Sequence, residues 1–388
     1  MSKQAELTER ARALAPLIRA HADQSERERK LAAPIVEALH DAGLFRMMLP
    51  ESLGGSGLNA AEAAPILEEV ACADGSAGWN LAIGAGNSAF LALLEDEAAI
   101  AELAASPRAL GAGSINPTSL RLTPAPGGYR VSGALRYASG IQQSTWLVAG
   151  GFVIENGRPR TAPDGGPLIV GTFFPTDAAR VLDSWRPTGM CGTGSHDALV
   201  EDVFVPYART YDFRTTAPRP LDPLAALPIF SRLGATLSAV GLGIARRARE
   251  ELITLAQTKT SLMSAKPLRE TARVQIDVAR ATALTDAGRA QLASTVSEIY
   301  ARIAAGAAPT REDQIHLRLA YISTTDFAAQ AVDLMRNAAG MNAVVAGSPL
   351  ERCWRDMHAL TQHLAVSSAH YERIGKALLG VEIGPGPL

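Results

Sequence analysis

The sequence predicts an α+β chain in which helices precede and follow a segregated block of strands. Three observations carry this. Up to about residue 110 apolar residues recur every three or four positions, as at Ile35, Leu39 and Leu44 and then Ile66 and Val70. From Gly111 to about Pro220 they come in short alternating runs broken by Gly and Pro, and after Pro228 the helical spacing returns to about Leu379. Strands gathered in one block favour α+β layering over alternating βαβ units, so a Rossmann domain is not expected. The implied division is an N-terminal helical domain (1–110), a central antiparallel β domain (111–220) and a C-terminal helical bundle (221–388). A chain of 388 residues with 47% hydrophobic content exceeds what one core usually holds, about 250–300 residues.

Within the first part, Leu53-Gly54-Gly55-Ser56-Gly57-Leu58 interrupts the helical pattern, and Asn59 is a candidate N-cap for the helix that follows. Pro50 stands where a preceding strand would have to end, so this is a plain loop and not a phosphate cradle. Strands are expected around Tyr129–Val131, Trp146–Ala149, Leu168–Val170 and Val200–Val205, and helices over 235–256, 271–306 and 311–340, with an irregular tail at 385–388. The run from Pro349 to His363 is expected to be helical. On an ideal helix His370 would lie within about 20° of the His363 face and His358 on the far side. No Glu stands between His358 and His363 in an HExxH arrangement, and no metal site is expected.

Composition narrows the function classes. Lys and Arg number 37 against 39 acidic residues, a formal charge of −2, so no global field recruits nucleic acid. Cys72, Cys191 and Cys353 are widely spaced and odd in number, which fits a reducing cytoplasm better than a disulfide framework. The charged, helical N-terminus contains no apolar run long enough for a signal peptide or membrane span.

Four features bear on chemistry. In Gly189 to Asp197, glycines alternating with Thr193 and Ser195 would let backbone N–H groups approach a planar polar ligand; a tight bend whose hydroxyls bond their own turn has the same composition. Ser139, at a predicted strand end before Gly140, is a well-presented neutral donor or a turn serine. Trp79 is a cavity wall or a core aromatic. His363 is a general base or hydrogen-bond partner, imidazole having its unperturbed pKa nearest working pH, or else a satisfied structural residue.

Several separated motifs together resemble one family. They are Leu49-Pro50 with Gly54-Gly55, Ala73-Asp74-Gly75-Ser76-Ala77-Gly78-Trp79, Ser132-Gly133 leading to Ala138-Ser139-Gly140 and Trp146, Thr188 through Asp197 with Val203-Phe204-Val205-Pro206, and Arg355-Asp356 through His363. Their order resembles the acyl-CoA dehydrogenase superfamily, and most closely its flavin-dependent monooxygenase branch of two-component hydroxylases. Where the dehydrogenases place a carboxylate base, this chain has His363. The resemblance implies an oxygenase component that takes reduced flavin, FMN before FAD, from a separate flavin reductase, adds dioxygen to give a C4a-hydroperoxide, and hydroxylates a small, aromatic substrate.

By the same resemblance His363 and Ser139 are catalytic, and Trp79, Ser139, Gly140, Gly192, Thr193, Gly194 and Ser195 bind the flavin. Asn87, Asn116 and His363 line the substrate pocket, and Arg355-Asp356 pairs and caps within the helical domain. Asn87 departs from the aromatic hydroxylases, which often have His at a similar distance. Thr258 through Met263 and Arg336 through Gly340 depart from the dehydrogenase elements that grip the adenine half of FAD, which favours FMN. A homotetramer is implied. Two competing readings are an FAD-dependent dehydrogenase or nitroalkane oxidase, which needs a carboxylate over the flavin, and a non-catalytic flavin carrier.

Overall fold

The computed structural model describes residues 2–114, 116, 118, 120–163, 165–212, 217–260 and 266–383. The expected tail at 385–388, and Ser261 to Met263, lie outside the described residues. The chain opens with α1 (Lys3–Glu28), α2 (Ala33–Asp41), α3 (Ala60–Ala73), α4 (Gly75–Ala89) and α5 (Glu97–Ala104). Asn59 does cap α3: its side chain accepts the Ala61 and Glu62 N–H groups while Glu62 accepts the Asn59 N–H, a complete capping box. One residue, Asp74, separates α3 from α4 and caps the latter through the Ala77 N–H at 2.8 Å.

The strands are β1 (Gly111–Ser114), β2 (Leu120–Ala125), β3 (Gly128–Ala138), β4 (Trp146–Glu155), β5 (Arg158–Pro159), β6 (Ile169–Pro175), β7 (Ala179–Val181), β8 (His196–Pro206) and β9 (Thr210–Asp212). They form one sheet ordered β7-β8-β3-β2-β4-β6-β9, with β1 and β5 also paired to β4. The sheet is mixed, which corrects the antiparallel expectation. β1 and β2 follow one another along the same edge of β4, both parallel to it: Gly111–Ser114 pair with Trp146–Ala149, and Leu120–Leu122 with Gly151–Val153. Alternation reveals which face a residue takes but not the direction of its neighbour. β3 bulges between Leu135 and Ala138, where Tyr137 adopts φ +57°; the chain then turns through Ser139 and Gly140 at φ +75°.

The remaining helices are α6 (Ile229–Thr258), α7 (Ala272–Ala304), α8 (Arg311–Ala339), α9 (Pro349–Leu360) and α10 (Tyr371–Leu378). A single apolar core joins both helical parts, from Leu7, Ile35 and Leu67 to Val240, Leu317 and Leu360. The sheet has its own core around Leu122, Leu135, Leu147 and Val200. Phe90, Leu91 and Ile100 pack with Val148, Phe173 and Ile229 where helices meet the sheet. No helix among the described residues is long and apolar enough to cross a membrane.

α9 stops at Leu360, three residues short of His363. The chain there tightens, His363 N–H bonding to Leu360 O and Val366 N–H to His363 O, each at 3.0 Å. The helical-wheel relation expected between His363 and His370 therefore does not exist, because no continuous helix connects them.

Candidate active site

The hydroxyls singled out in the sequence form one chain. Trp79 on α4 donates from Nε1 to Ser139 Oγ at 3.0 Å, Ser139 Oγ lies 2.7 Å from Ser195 Oγ, and Ser195 Oγ lies 2.7 Å from Thr193 Oγ1. Thr193 spends its hydrogen on the Met190 carbonyl at 2.8 Å. Each hydroxyl has one hydrogen, so the directions follow: Ser195 donates to Thr193, and Ser139 donates to Ser195. Ser139 consequently keeps an acceptor lone pair after receiving Trp79, which reverses the donor role expected of it.

Gly140, Gly192 and Gly194 owe their identity to protein packing. A Cβ on Gly192 would sit 3.0 Å from the Cβ atoms of Ser25 and Ser76, one on Gly140 would sit 2.7 Å from Asn80 Oδ1, and one on Gly194 would overlap Gln142. The small side chains let the loop seat against α1 and α4, where Gly140 N–H bonds to Thr193 O at 2.9 Å and joins the two hydroxyl-bearing segments. The loop is also held from α9. Asp356, buried, accepts the Met190 N–H at 2.6 Å, and Arg355 donates to Thr188 O at 2.7 Å. Arg355 also pairs with Glu26 and Glu351. Arg355 forms its ion pairs with other helical residues, and the duo also reaches beyond the helical parts and tethers the glycine loop. Burial, and then the neighbouring Asp74, raise the Asp356 carboxyl well above the ordinary carboxylate range.

His363 packs on Trp79, ring centroids 5.3 Å apart and planes at 72°, edge to face. Its Nδ1 accepts the Ala365 N–H at 3.2 Å, so the neutral ring carries its hydrogen on Nε2. Burial, and then the charge of Arg318, push its pKa down to about 4. At neutral pH the ring is uncharged and, with Nδ1 engaged by Ala365, offers Nε2–H as a hydrogen-bond donor. His358 bonds to Asp333 at 3.0 Å and His370 to the Leu364 carbonyl at 2.7 Å, both committed elsewhere.

The structure thus gathers His363, Trp79, Ser139, Ser195 and Thr193 and leaves two candidates out. Asn87 donates to the Gly111 carbonyl at 3.2 Å and clamps α4 to β1. It lies eight residues from Trp79, about 12 Å along the helix. Asn116 is exposed and accepts from the N–H and hydroxyl of Thr118, a local turn on the surface. Tyr137 was missed by the sequence reading. It is 69% exposed in left-handed backbone beside Ser139, edge-on to Trp185 at 6.2 Å. Asp197 holds it there, accepting the Tyr137 N–H at 3.2 Å while paired with Arg136. The only sequence signal was an aromatic two positions before the Ser-Gly pair. The carboxylates a dehydrogenase would need are occupied: Asp356 by Met190, Glu351 by Arg355, Glu372 by Lys376. Two cavities, of about 230 and 210 Å³, open elsewhere; the second lies beneath α9 between Asp74, Arg352 and Asp356.

Neutral hydroxyls, a spare acceptor on Ser139, aromatic Trp79 and Tyr137 and an uncharged His363 suit a planar heteroaromatic ring with N–H and C=O edges, and so fit a flavin. The N-terminal domain model of acyl-CoA dehydrogenases matches residues 2–97 and the C-terminal domain model residues 235–368. The chain belongs to the acyl-CoA dehydrogenase family. Within it, the chain is 31% identical over 373 residues to an indole-3-acetate monooxygenase of Pseudomonas putida, covering 95% of this chain and 92% of that protein. It is 30% identical to the oxygenase subunit HsaA of a flavin-dependent monooxygenase from Rhodococcus jostii, covering 92% and 94%. The crystal structure of a 3-HSA hydroxylase from Rhodococcus sp. RHA1 superposes with TM-score 0.88 at 28% identity, covering 98% of each chain. This member of the family is a flavin-dependent monooxygenase, the oxygenase component of a two-component system that uses reduced flavin and dioxygen. Two of its relatives are named as an oxygenase subunit and an oxygenase component.

Proposed function

We propose that this oxygenase places one atom of dioxygen on a small aromatic substrate held beside His363 and Trp79. The observation that carries the reading is the neutral cluster itself, in which the Trp79 indole touches both Ser139, with its spare acceptor, and His363, with its Nε2–H donor. Relatives named for indole-3-acetate and resorcinol support an aromatic substrate. When bound, reduced flavin supplies the activation of dioxygen. Ser139, Gly140, Gly192, Thr193, Gly194 and Ser195, with Trp79, would hold its ring, and Tyr137 would cover one end. Ser139 would offer its free lone pair to a ring-edge N–H, and His363 would offer its Nε2–H as a donor without giving up a proton. Trp79 and the apolar helices exclude water, which limits wasteful loss of peroxide.

FMN is the preferred flavin, since the dehydrogenase elements for an adenine half are replaced by Thr258 to Thr260 and by Arg336, whose guanidinium stacks 4.2 Å from the Trp354 ring. The assembly is a homotetramer. Three free cysteines are in keeping with a reducing cytoplasm. The test supplies the purified chain with reduced FMN or reduced FAD, ¹⁸O₂ and a panel holding indole-3-acetate, resorcinol and indole. One ¹⁸O atom in an aromatic product is expected. Dioxygen consumed only to hydrogen peroxide with every substrate, or acyl-CoA oxidised through tightly held FAD, would overturn the reading.

A further inference from the structure

Beneath the His363 turn lies a cation. Arg318, on α8, is one of the largest fully buried side chains, 1% exposed, in a region where burying a guanidinium is costly. Its Nη1 donates to the Ala365 carbonyl at 2.9 Å, and the N–H of the same Ala365 is the group that bonds His363 Nδ1 at 3.2 Å. From the other side His370 holds the Leu364 carbonyl at 2.7 Å. The turn that carries the imidazole is therefore fixed at two consecutive carbonyls, one of them by a full positive charge.

We propose that Arg318 is the positioning residue for His363, orienting Ala365 so that its N–H occupies Nδ1 and the ring presents Nε2–H to the reacting oxygen. The inference rests on the reading of His363 as the ring that faces the substrate. Two effects act together. The hydrogen bond through Ala365 fixes the tautomer, because an Nδ1 that accepts cannot carry the hydrogen. The charge disfavours a second positive charge on the ring, and it also bears on His370, which feels Arg373 of α10 as well. From α4, which carries no ionisable side chain, the ring meets the uncharged Trp79 indole. Arg318 itself stays protonated, burial bringing it down only to about 10.

The test uses the full chain without flavin, so that it does not depend on the oxygenase reading. ¹⁵N spectra of the histidine rings should show His363 as the Nε2–H tautomer, unprotonated down to pH 5. An Nδ1–H tautomer, or titration near the ordinary pKa of about 6.5, would overturn the proposal in the unaltered protein. Arg318→Met should lift the titration toward that ordinary value and mix the tautomers, while Arg318→Lys, which keeps charge and donor, restores the original signals. In turnover with reduced FMN, Arg318→Met should move the decline in product per dioxygen to higher pH than in the unaltered chain, because one of the two causes that keep the ring neutral is gone while its burial remains. A uniform loss at all pH values, unrescued by Lys, would mean that Arg318 only supports the fold. Correct ring spectra without aromatic oxygenation would instead refute the functional reading and leave the positioning intact.

Discussion

At the scale of single residues, the site works by withholding charge. His363 is neutral because it is buried beside Arg318, and its folded pKa of about 4 lies below the 6.5 of the unfolded chain. As pH falls from 6.5 toward 4 the unfolded state takes up the proton first, so stability is constant above that window and declines through it. The decline should reach about 3 kcal/mol at 1.36 kcal/mol per pH unit. Urea unfolding at pH 8 and pH 4.5 checks this: His363→Gln should flatten part of the slope, and an unchanged difference between the two pH values would refute the buried, neutral ring. Ser139 is balanced on hydrogen-bond count. Ser139→Ala strands the Trp79 N–H in the interior, a cost of about 1–3 kcal/mol, takes away the donor to Ser195, whose own hydrogen stays on Thr193, and removes the spare acceptor. Both the melting temperature and the affinity for reduced FMN should fall; an affinity unchanged within error would take Ser139 off the flavin edge.

At the scale of elements, α9 joins the helical core to the glycine loop. Arg355 and Asp356 sit one after the other on it and reach Thr188 O and Met190 N–H. The backbones themselves are in contact here, since any Cβ on Gly189 would collide with the Arg355 carbonyl. Asp356→Asn keeps an oxygen for the Met190 N–H and should fold with near-normal stability, whereas Asp356→Ala leaves that N–H unpaired and should cost about 1–3 kcal/mol and weaken flavin binding. Urea midpoints and flavin titration decide it, and equal behaviour of the two variants would mean the tether has no role.

This coupling also marks where the sequence stops being readable. The helices over 235–256 and 311–340 were legible because their signals are local and periodic, and the Asn59 cap because its partner Glu62 is three residues away. The hydroxyl chain was not, since Trp79, Ser139 and Ser195 are about sixty residues apart in turn and only the bulge at Tyr137 and the turn after Gly140 bring them together. The end of α9 at Leu360 and the parallel pairings of β4 depend on tertiary partners in the same way.

At the scale of the whole molecule, the proposed homotetramer bears on the site through the turn between α8 and α9. Met341, Val344 and Val345 in that turn are 75%, 54% and 62% exposed, and Leu364, next to His363, is 53% exposed. Apolar side chains grouped this way on a chain of charge −2 mark a surface suited to protein contact. The turn leads into α9, which carries Arg355 and Asp356 and ends three residues before His363. Covering it with another copy would stiffen the element that sets both the glycine loop and the imidazole. Light scattering should give four times the 40.7 kDa of one chain. Met341→Asp with Val345→Asp should lower that mass while leaving the far-ultraviolet circular dichroism unchanged, and the smaller species should bind reduced FMN more weakly because α9 has lost its outer support. A variant that dissociates yet binds flavin and couples dioxygen to product as before would show that each protomer builds its site alone.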